Sequence, residues 1–205
     1  SAVKKLFNLK KRPYSQAISI QISSIKKIKE LIKVMPKNAE KLAENFWPGP
    51  LTMIFDKSDY ISDLVTGGKS TVGIRIPEHE QSLRLLKKIS YPLAVPSANI
   101  HNQISCTSAK DVFKKFENKI NYILDGGESS KGIESTIVGF EKDQVMVFRL
   151  GAISLNELKK IFNDKNIIVD QTNQRNNISS TIPIFKFRDA ELSNKKLNLK
   201  IGIIH

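Results

Sequence analysis

The chain has 205 residues, 40% of them hydrophobic, and a formal net charge of +13, which suits one α/β domain with an appendage and anionic partners. No apolar run reaches the length of a membrane span, and the lysine-rich start lacks the apolar core of a signal peptide. One cysteine, Cys106, and three scattered histidines exclude an internal disulfide framework and a metal-ligand spacing, a pattern that fits a cytoplasmic protein.

Taken in chain order, Ser1–Lys11 reads as the tail of a helix with Val3, Leu6 and Phe7 on one face. Gln16–Ile22 alternates through Ile18, Ile20 and Ile22 and predicts a strand. Ser23 or Ser24 then caps a helix whose Ile25, Ile28, Leu31, Ile32 and Met35 keep helical spacing. A helix over Asn38–Phe46 ends at Trp47-Pro48-Gly49-Pro50. Strands follow at Leu51–Phe55 and Thr71–Ile76, a helix at Glu80–Ile89, and a short strand at Leu93–Val95. Next come a helix at Ser108–Phe116, a strand at Tyr122–Leu124, and a loop with Gly126, Gly127 and Gly132. Strands at Ser135–Phe140 and Gln144–Arg149, a helix at Leu155–Phe162 and a strand at Ile167–Val169 close the domain. Residues 171–180 are polar and read as a linker, and 181–205 hold two strand-like stretches too short to form a core.

Charge-bearing motifs sit at the ends of these elements. Only six of the 33 basic residues are arginine, and Arg12, Arg75 and Arg149 stand at edges of apolar segments, where planar forks meet carboxylate or phosphate. Lys10-Lys11-Arg12-Pro13 can grip a polyphosphate, or its cations can simply complement a helix C-terminus. The strand at Leu93–Val95 ends at Pro96 and delivers Ser97 and Asn99, either a ligand ledge at a sheet end or an ordinary Ser/Asn turn. Asp125-Gly126-Gly127 through Gly132 leads to Ser135 and Thr136 at a strand mouth. Its glycines suit close backbone approach to an anion, or a long hairpin connection. Arg149-Leu150-Gly151 closes the site from the other side or is a surface turn. Trp47–Thr52 reads as structural. Thr66-Gly67-Gly68-Lys69-Ser70-Thr71 is not a Walker A loop, because Asp63 stands where its first glycine belongs and a strand follows; it reads as a flexible surface loop.

In this order the segments resemble the YrdC-like family, the threonylcarbamoyl-AMP synthases. The matching pieces are Lys10–Pro13, Phe46–Thr52 (FWPGPLT), Thr71–Pro77 (TVGIRIP), Pro96–Asn99 (PSAN), Asp125–Gly127, Ser135–Val138 (STIV) and Arg149–Ala152 (RLGA). The resemblance implies a YrdC-like α/β fold with a twisted, largely mixed sheet, flanking helices and a concave basic face over residues 1–170. It implies synthesis of threonylcarbamoyl-AMP and pyrophosphate from L-threonine, bicarbonate and ATP, with Mg²⁺ bridging phosphates. Other proteins then transfer the threonylcarbamoyl group to tRNA. Carried over by motif, Lys10 and Arg12 would bind phosphates and the reacting carboxylates, Ser97 and Asn99 the nucleotide phosphates, and Ser135 and Arg149 would complete the nucleotide pocket. No protein metal ligand is implied.

The chain departs from the family pattern at several points. The family opens with a P-T-[DE]-T-x-Y-G-L segment that carries a threonine and a tyrosine lining the substrate pocket. It does not precede the first helix here, so the domain is expected to be N-terminally truncated with a sheet edge and part of the core exposed. His101-Asn102 replaces the usual Ser-Gly, and Cys106 the usual proline. Residues 181–205 would begin a second small domain or form an ordered tail. The alternative reading is a non-catalytic remnant that binds double-stranded RNA or tRNA through the basic face.

Overall fold

The computed structural model describes residues 1–129, 134–162 and 166–170. The expected linker at 171–180, the tail at 181–205, and Gly132 lie outside them. Seven strands form one mixed sheet in the order β4-β1-β3-β2-β5-β6-β7. These are β1 (Ile20–Gln21), β2 (Leu51–Asp56), β3 (Thr71–Arg75), β4 (Leu93–Ala94), β5 (Thr136–Glu141), β6 (Gln144–Arg149) and β7 (Ile167–Val169). The helices are α1 (Ala2–Lys10), α2 (Lys37–Phe46), α3 (Asp63–Thr66), α4 (Glu80–Lys88), α5 (Ala109–Phe116) and α6 (Leu155–Ile161), with a 3₁₀ helix over Ile25–Glu30.

Register explains how one sheet serves as both core and site. Ile20 pairs with Ile74, Ile74 with Met53, Met53 with Val138 and Val138 with Val147. These five residues form a single row across the sheet, and each is 3% exposed or less. They sit in the main core with Leu42 of α2 and Leu158 of α6. Because side chains alternate faces, the next residues along the same strands must face the opposite way. That second row is Gln21, Arg75, Thr52, Ile137 and Arg149, with Gln21 paired to Arg75, Thr52 to Ile137 and Ile137 to Arg149. The antiparallel register carries on from Met53–Ile74 to set Thr52 opposite Arg75. A bulge lies between Ile137–Arg149 and Val138–Val147. It makes Phe148 the extra residue and swings Arg149 into the row.

A second apolar cluster joins Leu6 and Phe7 of α1 to Ile18, Ala98, Cys106, and Val112 and Phe116 of α5. It anchors the segment after β4 against α1.

Four expectations from the sequence are revised. The strand over 16–22 is confined to Ile20–Gln21, because the carbonyls of Gln16 and Ala17 accept hydrogen bonds from the Arg12 guanidinium instead of a ladder partner. The helix over 25–35 shrinks to the 3₁₀ turn at Ile25–Glu30. Beyond it, Ile32 bridges Lys57 and the Lys33 amide donates to Asp56, so pairing with the end of β2 overrides the helical period. Tyr122–Leu124 makes no ladder; Ile123 and Leu124 pack on the second cluster as irregular chain. The stretch from Thr66 is not a loose surface loop at its start. Thr66 ends α3 fully buried, and Gly67 at φ 64° caps it so close to the Ser15 carbonyl that a Cβ would stand 2.4 Å from that oxygen.

Candidate functional site

The polar row opens into a cavity of about 260 Å³. Its walls come from five directions: Arg12 after α1, the 17–21 segment, Thr52 and Arg75 on the sheet, Val95–Ser97 after β4, and Glu134, Ser135, Ile137 and Arg149 at the β5–β6 mouth. Three guanidinium groups thus share a cavity whose one lining carboxylate among the described residues is Glu134.

The local sequence dictates how each cation arrives. Lys11 adopts a left-handed conformation at φ 52°, and the Arg12 amide closes back on the Phe7 carbonyl at 3.0 Å. This cap ends α1 between Lys10 and Arg12 and sends the two side chains different ways. Arg12 leaves the helix toward the cavity, with Nε and one Nη fixed on the carbonyls of Gln16 and Ala17 at 3.2 and 2.8 Å. Lys10 stays in the helix, 1% exposed, and does not line the cavity. Its Nζ donates to the carbonyls of Ser97 and Asn99 and to Asn99 Oδ1, the last at 3.0 Å.

Arg75 and Arg149 differ in how much of the fork is free. Arg149 Nε and Nη2 donate to the Ser135 carbonyl at 3.0 and 2.8 Å, Nη2 also reaches Ser135 Oγ, and Nη1 pairs with Glu134. Arg75 spends Nε on the Gly49 carbonyl at 2.9 Å, and no described residue bonds either terminal nitrogen. Burial, reinforced by repulsion from Arg149, pulls Arg75 down to about 10 although Glu78 opposes the shift. Burial also lowers Arg12 and, against its Glu134 partner, Arg149. Lys10 is driven down to about 7, first by burial and then by Arg12. An open, desolvated fork is the complement of a planar anion such as a carboxylate.

The uncharged groups divide into donors and acceptors. Gln21 is buried beside Arg75, and its Oε1 has no hydrogen-bond partner among the described residues. Ser97 Oγ lies 2.7 Å from Asn99 Oδ1. Asn99 Nδ2 donates to Gln103, so Oδ1 is an acceptor and the Ser97 proton points at it. Toward the cavity Ser97 therefore offers lone pairs. Thr52 Oγ1 and Ser135 Oγ share a hydrogen bond of 2.9 Å.

Of the six residues singled out by sequence, Arg12, Ser97, Ser135 and Arg149 line the cavity, while Lys10 and Asn99 stand behind Ser97. Sequence reasoning misses Gln21 and Thr52, which only strand register brings in; from sequence, Thr52 reads as structural with the rest of Trp47–Thr52. It noted Arg75 at a strand edge without giving it a role. The described part of the glycine loop turns on itself, the Gly127 amide donating to Asp125 Oδ1 at 2.9 Å, and does not line the cavity. Trp47 is half-buried and bonds the Leu51 carbonyl through Nε1. No group of three or more His, Cys, Asp or Glu able to hold a metal occurs among the described residues. Glu134, the one carboxylate of the described cavity lining, pairs with Arg149. No helix among the described residues is long and apolar enough to cross a membrane.

Comparison with known proteins bears on this geometry. The family model for Sua5, YciO and YrdC, described as telomere recombination, matches residues 1–151. The threonylcarbamoyl-AMP synthase of Pyrococcus abyssi is 40% identical over 164 residues, 80% of this chain and 48% of that protein. The enzyme of the same name from Bacillus subtilis is 35% identical over 161 residues, 78% of this chain and 46% of that protein. The chain thus spans about half the length of these curated relatives. The crystal structure of P. abyssi Sua5 complexed with L-threonine matches with a TM-score of 0.80 at 37% identity, covering 91% of this chain and 54% of that one. E. coli YciO shares the fold at a TM-score of 0.62 and 18% identity, covering 75% of each chain.

Proposed function

The chain belongs to the Sua5, YciO and YrdC family, and from that premise we propose that its cavity binds L-threonine, bicarbonate and ATP and forms threonylcarbamoyl-AMP with release of pyrophosphate. The observation that carries the reading is the pairing of an open guanidinium fork, Arg75, with an orphaned buried acceptor, Gln21, on neighbouring strands. A free α-amino acid presents the matching chemistry, a planar carboxylate beside an amine. Arg75 takes the carboxylate by two parallel hydrogen bonds. Gln21 Oε1 accepts from the amine or the side-chain hydroxyl, and Ser97 keeps the nucleotide-phosphate role that the resemblance implies. A residue without the hydroxyl offers this acceptor fewer donors, which favours threonine over apolar amino acids.

Arg12 and Arg149 flank this position and take the phosphates, with the Ser135 and Thr52 hydroxyls between them. The reaction needs no covalent protein intermediate. The threonine nitrogen attacks carbon derived from bicarbonate to give a carbamate and water. A carbamate oxygen then attacks the α-phosphorus of ATP, and the bond to the β-phosphate oxygen breaks to release pyrophosphate. Cations held rigidly on a sheet lower the cost of bringing these anions together, so catalysis rests on positioning and charge neutralisation. Magnesium enters this scheme only as part of the ATP substrate. Transfer of the product to tRNA by other proteins is part of the same proposal, as is the division into a catalytic domain over 1–170, a linker and the start of a second unit.

The test is incubation with ATP, bicarbonate and L-threonine, with pyrophosphate and the threonine-dependent adenylate followed by mass spectrometry. Both products are expected, and neither when threonine is omitted. Threonine binding without either product would reject catalysis by this chain.

A further inference from the structure

Arg12 is held at the cavity by the chain that follows it. Its Nε and Nη2 donate to the carbonyls of Gln16 and Ala17, and the Gln16 amide closes a turn on the Pro13 carbonyl at 3.0 Å. The Gln16 side chain reaches the other way, to the turn after β4, where its Nε2 stands 3.2 Å from His101 Nε2. An amide nitrogen only donates, so this ring nitrogen accepts and the imidazole is the neutral tautomer with its proton on Nδ1. The His101 amide in turn donates to the Lys10 carbonyl at 2.8 Å. Arg12, Gln16, His101 and Lys10 thereby close a ring that ties the end of α1 to the turn carrying Ser97 and Asn99. The family pattern has a serine at position 101, whose hydroxyl ends one bond beyond Cβ and falls short of the point where Nε2 meets Gln16. Neither His101 nor Gln16 lines the cavity.

We propose that His101 is a positioning residue that latches Gln16, so that the carbonyls of Gln16 and Ala17 hold the Arg12 fork toward the nucleotide phosphates. The proposal rests on the reading given above, in which Arg12 takes phosphate, and it fixes Arg12 relative to Ser97 and Asn99. The latch is open to protons. A charged ring has no acceptor and sets an N–H against the N–H of Gln16. Turning the amide over to offer Oε1 restores a bond but leaves a third cation facing Arg12 of the loop and Lys10 of α1, so the charged ring is driven off. Burial and these two cations hold His101 below its ordinary value of 6.5, which keeps the latch shut at neutral pH. ATP binding therefore weakens as pH falls through the titration of the ring. A histidine that itself touched phosphate predicts the reverse, tighter ATP binding as the ring gains charge.

The experiment is a double-mutant cycle of Gln16→Ala and His101→Ala, read by calorimetry with ATP and by hydrogen exchange at the Gln16 amide. Each single substitution is expected to weaken ATP binding about fivefold, the loss of one hydrogen bond, and the double variant to lose no more than either alone. Exchange at position 16 should quicken in both. His101→Gln places an amide oxygen close to the position of Nε2 and does not titrate. It should restore ATP affinity to within about twofold of wild type, and relative to it the wild-type affinity should fall as pH drops below 6.5. Additive losses in the cycle, a His101→Gln variant as weak as His101→Ala, or wild-type binding that tightens in acid relative to His101→Gln would each overturn the proposal. If His101→Ala does not fold, Gln16→Ala and His101→Gln carry the test, because Gln16→Ala removes the tie and leaves the carbonyl that holds Arg12. A wild type that binds no ATP rejects the reading of the cavity, and exchange then decides the tie alone: faster exchange at position 16 keeps it, and unchanged exchange rejects it as well.

Discussion

Two rows of side chains, one residue apart on the same strands, have opposite energetics. Ile20, Ile74, Met53, Val138 and Val147 are buried against apolar neighbours and gain stability simply by leaving water. Gln21, Arg75, Thr52 and Arg149 are also drawn out of water, yet part of their hydrogen-bonding capacity has no partner among the described residues. Gln21 Oε1 is orphaned and the Arg75 fork is open. An unmet buried acceptor costs about 1–3 kcal/mol, and a desolvated charge costs more unless it is paired. The fold therefore carries a debt on one face of the sheet that a ligand of complementary chemistry removes. That asymmetry locates the site more firmly than any single motif.

The largest expected effect tests the cavity row. Arg75→Met should lower threonylcarbamoyl-AMP formation on the order of 10²- to 10³-fold, the usual loss when a preorganised charge is removed. Its melting temperature should stay close to that of the wild type, because relief of a desolvated cation is set against the Gly49 carbonyl that loses its Arg75 donor. A variant that stays active, or that melts well below wild type, breaks the comparison. One residue earlier, Ile74→Ala should do the opposite. It should cost about 2–5 kcal/mol of stability through the cavity it leaves, while threonine affinity measured well below the melt stays within about twofold. Together the pair makes a crossover that thermal melts and initial rates can read on two proteins.

Lys10 sharpens the contrast by being a buried cation whose hydrogen bonds are all met. Burial and Arg12 pull it from 10.5 to about 7, with Cys106 opposing and Lys115 reinforcing. Nearby His101 is itself held below its ordinary value by burial, Arg12 and Lys10. Below pH 7 both folded and unfolded chains hold the lysine proton, so stability has no slope from this group. Between about 7 and 10.5 the unfolded chain holds the proton and the folded chain does not, so stability rises with pH across that window. Melting temperatures of wild type relative to Lys10→Met should climb from pH 7 to pH 10. A flat melting difference would mean that the three oxygens retain the proton.

Much of this was legible in the sequence, and the reasons for the rest are physical. The strands expected at Leu51–Phe55, Thr71–Ile76 and Gln144–Arg149 lie where their apolar residues placed them, while the one segment read from alternation, Gln16–Ile22, is cut back to Ile20–Gln21. Helices α2, α4, α5 and α6 kept their apolar period and fell where it placed them. The ordered motifs also named Arg12, Ser97, Ser135 and Arg149, which do meet at one cavity. What local pattern could not supply was register. Gln21 and Thr52 lie far apart in sequence and become neighbours of Arg75 only through ladder pairing and the one-step offset from the core row. Nor could it supply side-chain direction at a helix end. Lys10 and Arg12 read as one basic motif, but the left-handed cap at Lys11 turns one into the protein and the other into the cavity.

The smallest effect expected is at Gln21, and it isolates the orphaned acceptor from every charge. Gln21→Leu keeps the size of the side chain and removes only the amide. Because its Oε1 has no partner among the described residues, the folded state loses no hydrogen bond from that atom and sheds the cost of burying it. Stability should therefore hold or rise by up to about 1 kcal/mol. On the proposed reading, threonine loses an acceptor, and its affinity should fall about tenfold while ATP affinity is unchanged. The combination matters more than either number. A core residue of the same burial would lose stability and keep affinity, and an exposed one would change neither. If Gln21→Leu lowers the melting temperature without touching threonine binding, the amide belongs with the core row, and the division of the sheet into a face that stabilises and a face that recognises fails at its first strand.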